Sequence, residues 1–341
     1  MRILIVSDAW SPQVNGVVTS LQALIAELRG LGHLVKLLSP TDFRHVPCPT
    51  YAEIPLVWDV WNVGAAIRDF RPDCVHLATE GPLGWSARRW LSKRGLAFSS
   101  AIHTRFPEYV HTRFPRIPLA WGYAYLRHFH KPSQAVLVTT ERLRAEFHGW
   151  GLQRLSLWRK GVDLSRFKAA AHMPGRLVFL YVGRIAPEKN LDAFLRLDLP
   201  GEKHVIGDGP QRAELETRYP QVRFLGYQHG QALAHAYAEA SVLVFPSRTD
   251  TYGLVMLEAL ACGTPVAAFP VAGPLDVLEQ GVSGVMDEDL RSACLAALSL
   301  DRQRCAQAAA KQSWRVSALE FLAQQPLLDG DVIDALVEVV T

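Results

Sequence analysis

Two acidic residues, Asp250 and Glu258, stand eight positions apart where the sequence predicts a loop that leads into a helix. The N-terminus of a helix offers backbone N–H groups and a positive dipole end to an anion such as a phosphate. Glu258 has apolar neighbours on both sides, and a carboxylate without a hydrogen-bond partner is costly there. A pair of ligand hydroxyls would supply that partner. Alternatively, Asp250 or Thr251 only caps the helix and Glu258 is an ordinary exposed carboxylate.

Arg184 and Lys189 lie five positions apart in a loop that follows a predicted buried strand, with Gly183 beside the arginine. As a pair they could hold a diphosphate, the arginine through a two-pronged fork and the lysine as a point charge. With the helix end near Asp250, they would stabilise a departing nucleoside diphosphate without a metal. Neither loop contains an Asp-x-Asp pair suited to magnesium or manganese, so no metal or other cofactor is expected. The alternative is two solvated cations.

The elements that must position these residues alternate between strand and helix along the chain. In the first half, apolar runs and helical periodicity predict strands at 2–7, 34–38, 73–77, 97–102 and 135–139, and helices at 17–31, 63–70, 82–93, 119–129 and 141–150. In the second half they predict strands at 177–182, 203–206, 222–225, 241–245 and 265–269, with helices between the last four of these strands and a helical run from about 289 to 325. Such alternation implies βαβ units and parallel sheets, hence two Rossmann-like α/β domains.

The segment 161–175 contains glycine, proline and an alanine-rich stretch, and it is predicted to link the two domains. The expected division is an N-terminal domain at 1–165, a C-terminal domain at 166–320 and a tail at 321–341 that can pack back on the first. Ligands of doubly wound sheets bind at the carboxyl ends of the strands, so the two domains are expected to face each other across a cleft.

Composition limits the cellular setting. The 341 residues include five scattered cysteines without a CxxC pair, which favours a reducing compartment and disfavours a zinc site. No apolar run approaches the ~18 residues of a membrane span, and the first strand is too short for a signal peptide. A cytoplasmic protein is therefore expected.

The net charge of +3 is unevenly distributed. Residues 1–165 hold 20 Lys and Arg against 12 Asp and Glu, whereas the remainder holds 16 against 21. A basic half can guide an anionic substrate or lie against an anionic membrane, although it often means only a solvated face. No nucleic-acid partner is expected.

Seven short motifs, taken in order, resemble the retaining glycosyltransferases of family 4, which have the GT-B fold, and are most similar to the alpha-mannosyltransferase branch. The motifs are Pro12 to Val17, Ile102-His103-Thr104-x-Phe106-Pro107-x-Tyr109, Gly161-Val162-Asp163-x3-Phe167, Gly183-Arg184-x4-Lys189-Asn190-Leu191, Gly207-Asp208-Gly209-Pro210, Phe224-Leu225-Gly226 and Ser247 to Pro265. The resemblance covers residues 2 to about 320, and its specificity comes from the joint order and spacing.

The resemblance implies an N-terminal acceptor-binding domain and a C-terminal nucleotide-sugar-binding domain, and it implies roles for individual residues. It implies that Glu258 bonds the ribose hydroxyls of a sugar nucleotide and that Asp250 contacts the donor sugar. Further implied donor contacts are the backbone of Thr251, Tyr252, Gly253 and Leu254, the phosphate-lining Gly16, and the nucleobase border from Tyr227 to His229. His103 would lie beside the anomeric carbon, although a single histidine is more often structural. The family commonly has glutamate where this chain has Asp250, which leaves the donor sugar open.

The activity so implied is transfer of a hexose, mannose from GDP-mannose above all, to a lipid or glycan acceptor with an alpha linkage. A UDP-hexose is the alternative donor. A non-hydrolysing sugar-nucleotide epimerase shares the two-domain architecture and stays open as a second class of function. An inactive sugar-nucleotide-binding subunit is a third.

The sequence features considered for acceptor binding are two predicted helices rich in aromatic and basic residues. They comprise residues 82–94, with Trp85, Arg88, Arg89, Trp90, Lys93 and Arg94, and residues 119–131, with Trp121, Tyr123, Tyr125, Arg127, His128 and Lys131. This composition suits a peripheral membrane contact, and it suits core packing beneath a solvated face equally well.

Overall fold

The computed structural model describes residues 1–13, 15–48, 51–169, 176–250 and 252–328. The chain divides into two compact units, one formed by Met1–Arg159 together with the chain from Arg315 onward, the other by Lys160–Trp314. Each unit is built on a six-stranded sheet. The predicted pair of Rossmann-like α/β domains is therefore confirmed.

The first unit alternates strands and helices up to residue 157. Its elements are β1 Arg2–Val6, α1 Gly16–Gly30, β2 Leu34–Leu38, β3 His45–Cys48, β4 Tyr51–Val57, α2 Val63–Phe70, β5 Cys74–Leu77, α3 Pro82–Lys93, β6 Ser99–Ala101, α4 Phe106–Arg113, α5 Leu119–His130, β7 Ala135–Val138, α6 Glu141–Gly149 and β8 Leu155–Leu157. The parallel sheet has the order β2-β1-β5-β6-β7-β8, and β3 pairs with β4 in a separate antiparallel hairpin.

The second unit repeats the plan. Its elements are β9 Val178–Val182, α7 Leu191–Leu195, β10 Glu202–Ile206, α8 Arg212–Arg218, β11 Arg223–Phe224, α9 Gly230–Glu239, β12 Val242–Phe245, α10 Leu254–Ala261, β13 Val266–Ala268, α11 Ala272–Val277, β14 Gly284–Met286, α12 Leu290–Ala297 and α13 Arg302–Ala310. The sheet order is β11-β10-β9-β12-β13-β14, all parallel. The strands β9, β12 and β13 are apolar on both faces because helices cover both.

A last helix, α14 (Trp314–Ala323), returns to the first unit. Its Ala318 and Phe321 are fully buried in the same cluster as Ile3 and Ile5 of β1. Ser317 Oγ accepts a hydrogen bond of 3.0 Å from Trp158 Nε1. The core of the first unit therefore includes residues from both ends of the described chain.

The domain boundaries of the structure, after Arg159 and after Trp314, precede the predicted ones at 165/166 and 320/321. The predicted linker is the reason, because Val162 and Phe167 are buried in the core of the second unit. Val162 also forms a β-bridge with Ser313. In the predicted tail, Gln325 Oε1 accepts from Ser99 Oγ at 2.6 Å, and residues 329–341 lie outside the described ranges.

The single helical run predicted from 289 to 325 is wrong in detail, since it consists of three helices. Asp289 and Asp301 each accept a backbone hydrogen bond, from Arg291 N and Gln303 N, at the start of α12 and α13. These caps begin new helices inside a continuous helical pattern.

Candidate functional site

The loop that follows β9 begins with a close approach of two backbones. Gly183 has a φ of 152° and Gly207, at the end of the neighbouring β10, has a φ of 134°. A Cβ on Gly207 would lie 1.9 Å from the carbonyl oxygen of Gly183. Only glycine at position 207 permits this approach, which fixes the start of the loop that carries Arg184 and Lys189.

The same loop is tied to the loop that follows β12, the other neighbour of β9. Asn190, in the left-handed region at φ 54°, donates from its side-chain amide to Pro246 O at 3.1 Å. Thr249 Oγ1 donates to Glu188 O at 3.2 Å. Two segments separated by about sixty residues of sequence are therefore joined at one edge of the sheet.

This junction brings two predicted site residues into contact. Lys189 Nζ lies 2.5 Å from Asp250 Oδ1, and the two side chains are 25% and 14% exposed. An ammonium group has three N–H donors, so Lys189 can hold Asp250 and still donate to an anion. Arg184 is partly buried in the same loop, where its carbonyl oxygen accepts from Tyr181 OH at 2.8 Å.

The helix predicted after Asp250 is α10, and Gly253 is its N-cap with a φ of 80°. A Cβ there would come within 2.8 Å of Met256 Cε and 2.9 Å of Phe245 Cζ, so both conformation and space require glycine. Leu254 is the first helical residue, at the end where backbone N–H groups lack helical partners. The predicted Thr251 lies outside the described residues.

Tyr252 anchors this loop with its side chain. Its ring is buried, and its hydroxyl lies 2.5 Å from Gln312 Oε1 and 3.4 Å from Lys160 O. The predicted donor contact at Tyr252 was one of the backbone, and the burial of the ring is compatible with that role.

Glu258 lies in the second turn of α10 and is partly buried. Its Oε2 accepts a hydrogen bond of 2.8 Å from the hydroxyl of the fully buried Tyr237. Burial raises the pKa of Glu258 and that of Tyr237. Glu258 is therefore not an exposed helical carboxylate. Tyr237 was not predicted as a site residue, because no local sequence signal marks it and its partner lies 21 residues further along the chain.

Tyr227 and His229, the predicted border of the nucleobase, lie between β11 and α9 and are both exposed. Their rings are stacked, with centroids 6.1 Å apart and an interplanar angle of 17°. They form an open aromatic surface at the end of the sheet next to β10.

Gly16 and His103 belong to the first unit and follow its strands β1 and β6. Gly16 is the first residue of α1, whose N-terminus is capped by Asn15 Oδ1 through Val17 N and Val18 N, both at 3.0 Å. His103 packs against Trp158 edge to face, with ring centroids 5.5 Å apart. Both residues lie where ligands of such sheets bind.

The segment that follows His103 forms the unpredicted helix α4, and its start is held by polar contacts. Arg105 forms an ion pair with Glu146 of α6. Tyr123 of α5 donates to Glu108 Oε1 at 2.5 Å and stacks on Trp150 with ring centroids 4.1 Å apart. The start of α4 is thereby fastened to two other helices.

Asp8, just after β1, is a second residue that the sequence analysis passed over. Its Oδ1 accepts from Leu83 N at 2.8 Å, and its Oδ2 accepts from Thr79 Oγ1 at 2.8 Å and Gly84 N at 3.3 Å. Burial raises the pKa of Asp8 despite these bonds. The carboxylate caps α3 and is occupied by structural contacts.

Two family models match the chain. The model described as "Glycosyltransferase Family 4" matches residues 14–166, and the one described as "Glycosyl transferases group 1" matches residues 176–300. The chain belongs to glycosyltransferase family 4. This family 4 chain is accordingly a glycosyltransferase, as the motifs indicated.

Curated relatives extend over most of the family 4 chain. A GDP-mannose-dependent alpha-mannosyltransferase of Mycobacterium tuberculosis is 28% identical, with 97% of each chain covered. Its namesake from Mycolicibacterium smegmatis is also 28% identical, with 84% of each covered. The sulfoquinovosyl transferase SQD2 of Arabidopsis thaliana is 29% identical over 80% of this chain and 60% of that one.

Solved structures confirm the fold of the family 4 enzyme. Sucrose-phosphate synthase from Thermosynechococcus elongatus superposes with a TM-score of 0.77 at 19% identity, covering 94% of this chain and 97% of that one. Anabaena HepE in complex with UDP-glucose superposes with a TM-score of 0.70 at 16% identity, covering 95% and 99%. The predicted GT-B fold is thereby confirmed.

Most of the aromatic side chains named on the two aromatic and basic helices of the family 4 enzyme, α3 and α5, are buried or half-buried. Trp85 Nε1 donates to Tyr125 OH at 2.7 Å, and Tyr123 is fully buried. Trp121 alone among the five aromatic residues named on these helices is strongly exposed, at 69%. Within the described ranges, none of the helices has the length and apolar character needed to cross a membrane.

Proposed function

We propose that this glycosyltransferase transfers mannose from GDP-mannose to a hydroxyl group of a lipid or glycan acceptor, with retention and an alpha linkage. The observation that carries the proposal is the contact between Lys189 and Asp250 near the N-terminus of α10. A cation suited to a diphosphate thus lies beside a carboxylate suited to sugar hydroxyls, which supports the proposal. Relatives named GDP-mannose-dependent alpha-mannosyltransferases support the choice of donor.

In this reaction the bond between the anomeric carbon and the diphosphate oxygen breaks, and its electron pair leaves with GDP. The acceptor oxygen forms the new bond on the same face of the sugar, and its proton passes to the departing diphosphate oxygen. Negative charge grows on the diphosphate in the transition state, where Arg184, Lys189 and the N–H groups of α10 stabilise it. His103 would border the anomeric carbon from the first unit.

Glu258 serves the nucleoside part of the donor. Tyr237 donates to Oε2 of its carboxylate, and no other side chain of the described residues donates to it. The carboxylate can therefore accept hydrogen bonds from the two ribose hydroxyls, and Tyr237 fixes its orientation. The stacked Tyr227 and His229 would border the base.

The reaction is proposed to need no bound metal, because Arg184 and Lys189 would supply the positive charge that a metal ion provides in other nucleotide sites. Turnover in a chelator such as EDTA should match turnover with added magnesium or manganese. Activity that is lost in the chelator and restored by either ion would contradict this.

A UDP-hexose is the second candidate donor, and two observations favour it. One solved neighbour holds UDP-glucose, and Asp250 replaces the glutamate common in the family. Family membership favours transfer over the epimerase and the inactive subunit.

Thermal shifts with GDP, UDP, ADP and their sugars decide among the donors, because a ligand that binds only the folded state stabilises it by about 2.7 kcal/mol at 100 times its Kd. We expect GDP and GDP-mannose to raise the Tm most. A larger shift with UDP or UDP-glucose would indicate a UDP-hexose as the donor. No shift with any of these nucleotides would contradict the proposed function.

Peripheral contact with the cytoplasmic face of a membrane is a separate proposal, supported by exposed apolar side chains of the first unit. Phe106, Phe114, Ile117 and Trp121 are exposed on α4, α5 and the loop between them. Co-sedimentation with vesicles containing phosphatidylglycerol should fall when Trp121 is replaced by alanine and stay unchanged for Leu319→Ala, an exposed leucine of α14. Equal sedimentation of both variants and the wild type would argue against this surface.

A further inference from the structure

Glu80 lies three residues after β5, at the carboxyl edge of the first sheet. The neighbouring strand in that sheet is β6, which leads into His103. Ligands of doubly wound sheets bind at this edge. Glu80 is therefore placed where a substrate of the first unit would be held, close in the topology to the histidine assigned to the reaction.

A row of buried polar side chains holds the carboxylate of Glu80 in place. Its Oε1 lies 3.3 Å from His130 Nε2, which must carry the hydrogen because a carboxylate only accepts. His130 Nδ1 lies 2.8 Å from Ser100 Oγ, which in turn lies 2.7 Å from Ser133 Oγ. His130, Ser100 and Ser133 are each at most 3% exposed. The carboxylate of Glu80 is thus held by groups that are themselves fixed.

The backbone of Glu80 is held as well. Tyr125 OH donates to Glu80 O at 2.5 Å, and Tyr125 in turn accepts from Trp85 Nε1. Side chain and main chain are therefore fixed from two helices, α3 and α5. Such support is what a binding group needs in order to keep its geometry without a ligand.

Asp8, at the end of the adjacent strand β1, provides the contrast. Both of its oxygens are occupied by donors of the protein. Glu80 has His130 as its single side-chain partner among the described residues, and its side chain remains 18% exposed. A carboxylate has about four lone-pair sites, so most of the accepting capacity of Glu80 is open.

We propose that Glu80 accepts a hydrogen bond from a hydroxyl of the acceptor, next to the hydroxyl that receives the sugar, and that His130 is its positioning residue. The inference rests on the proposed glycosyl transfer and adds to it a binding subsite for a glycosyl or polyol headgroup. The hydrogen bond to a carboxylate is charge-assisted, and it orients the acceptor before the new bond forms.

The test uses the full chain, GDP-mannose and two probe acceptors, n-octyl alpha-mannopyranoside and n-octyl beta-glucopyranoside. Glu80→Gln keeps the shape and loses the charge, so kcat/KM for the better glycoside should fall about 30-fold, chiefly through KM. His130→Phe should raise the acceptor KM about 5-fold, and His130→Gln, which keeps an N–H donor, should recover most of that loss. The Kd for GDP should stay within about twofold of wild type in all three.

Glu141→Gln is the matched control, because Glu141 is a carboxylate of the same unit that is 59% exposed. The inference is overturned if Glu80→Gln keeps the acceptor KM of wild type, if it loses GDP binding to the same degree as transfer, or if wild type hydrolyses GDP-mannose yet uses neither glycoside. A wild-type protein that binds no sugar nucleotide in the thermal-shift panel would instead refute the proposed function, and this inference with it.

Discussion

The two units share one architecture but assemble their polar groups differently. In the second unit, Lys189 and Asp250 come from loops after two neighbouring strands, and each lies inside a short sequence motif. In the first unit, Glu80, Ser100 and His130 come from a loop, a strand and the end of a helix, and none stands in a motif that the sequence analysis used for a site. The proposed donor half is therefore recognisable from local sequence, whereas the proposed acceptor half exists only in the folded unit.

A second difference concerns the carboxylates. Asp250 forms an ion pair with a lysine that can also bind a ligand. Asp8, which follows β1 of the first sheet, only caps a helix. Two carboxylates that follow strands thus have opposite uses, and the distinction lies in their partners rather than in their exposure or position.

The largest expected effect is a loss of stability that is confined to the first unit. Phe321→Ala removes a fully buried ring from the core of the first unit and should destabilise that unit by about 3–5 kcal/mol. Hydrogen exchange should show faster opening of β1 and β6 with no change in β9 and β12. Leu319→Ala, on an exposed side of the same helix, should change little. Equally faster hydrogen exchange in both units would contradict this prediction.

The next effect concerns catalysis in the second unit. Lys189→Ala should lower kcat for mannosyl transfer by at least ~100-fold, because it removes a group that stabilises the leaving diphosphate. Lys311→Ala, an exposed lysine of the same unit, should leave kcat unchanged. A Lys189 variant with nearly wild-type turnover would show that the ion pair with Asp250 is structural.

Glu258→Gln should weaken GDP binding about tenfold and at the same time raise the Tm at pH 7 by ~2 °C. Burial raises the pKa of this carboxyl in the folded state, so ionisation costs stability as pH rises above the unfolded value near 4.5. The gain in Tm should therefore disappear near pH 4. Calorimetry at both pH values and GDP titrations provide the measurement, and a variant that is less stable at pH 7 would contradict the argument.

The smallest effect tests the structural role of Asp8. Asp8→Asn replaces one accepting oxygen by an amide and should cost about 1 kcal/mol through the cap of α3. The Kd for GDP and the acceptor KM should stay within about twofold of wild type. A changed acceptor KM at unchanged stability would instead indicate that Asp8 takes part in acceptor binding.

Much of the fold is predictable because its strands and helices follow simple periodicities, and most predicted bounds lie within two residues of the structure. The β3–β4 hairpin and α4 were not predicted, since both are short and contain proline within or beside an apolar pattern. The compact units divide after Arg159 and not after residue 165, because Gly161, which suggested a linker, packs closely on the backbone of Trp314 within the second unit.

The candidate site was predictable to the extent that its residues cluster in sequence. Gly183, Lys189, Asp250, Gly253 and Glu258 each fall in a short motif, although the contact between Lys189 and Asp250 forms only in the folded unit. Tyr237 and His130 could not be found in this way, because their role depends on a partner twenty or more residues away and on burial that only the fold creates.

The return of α14 to the first unit sets an order of events during synthesis. Phe321 and Ser317 are translated only after the whole second unit, so a ribosome adding ~5–20 residues per second leaves Trp158 and the face around Ile5 without their cover for on the order of 10–30 s. The second unit has no such wait, because its chain is complete at Trp314. We expect a chain truncated after Trp314 to resist protease in the second unit and to be cleaved in the first. The half that is made first is the half that is finished last.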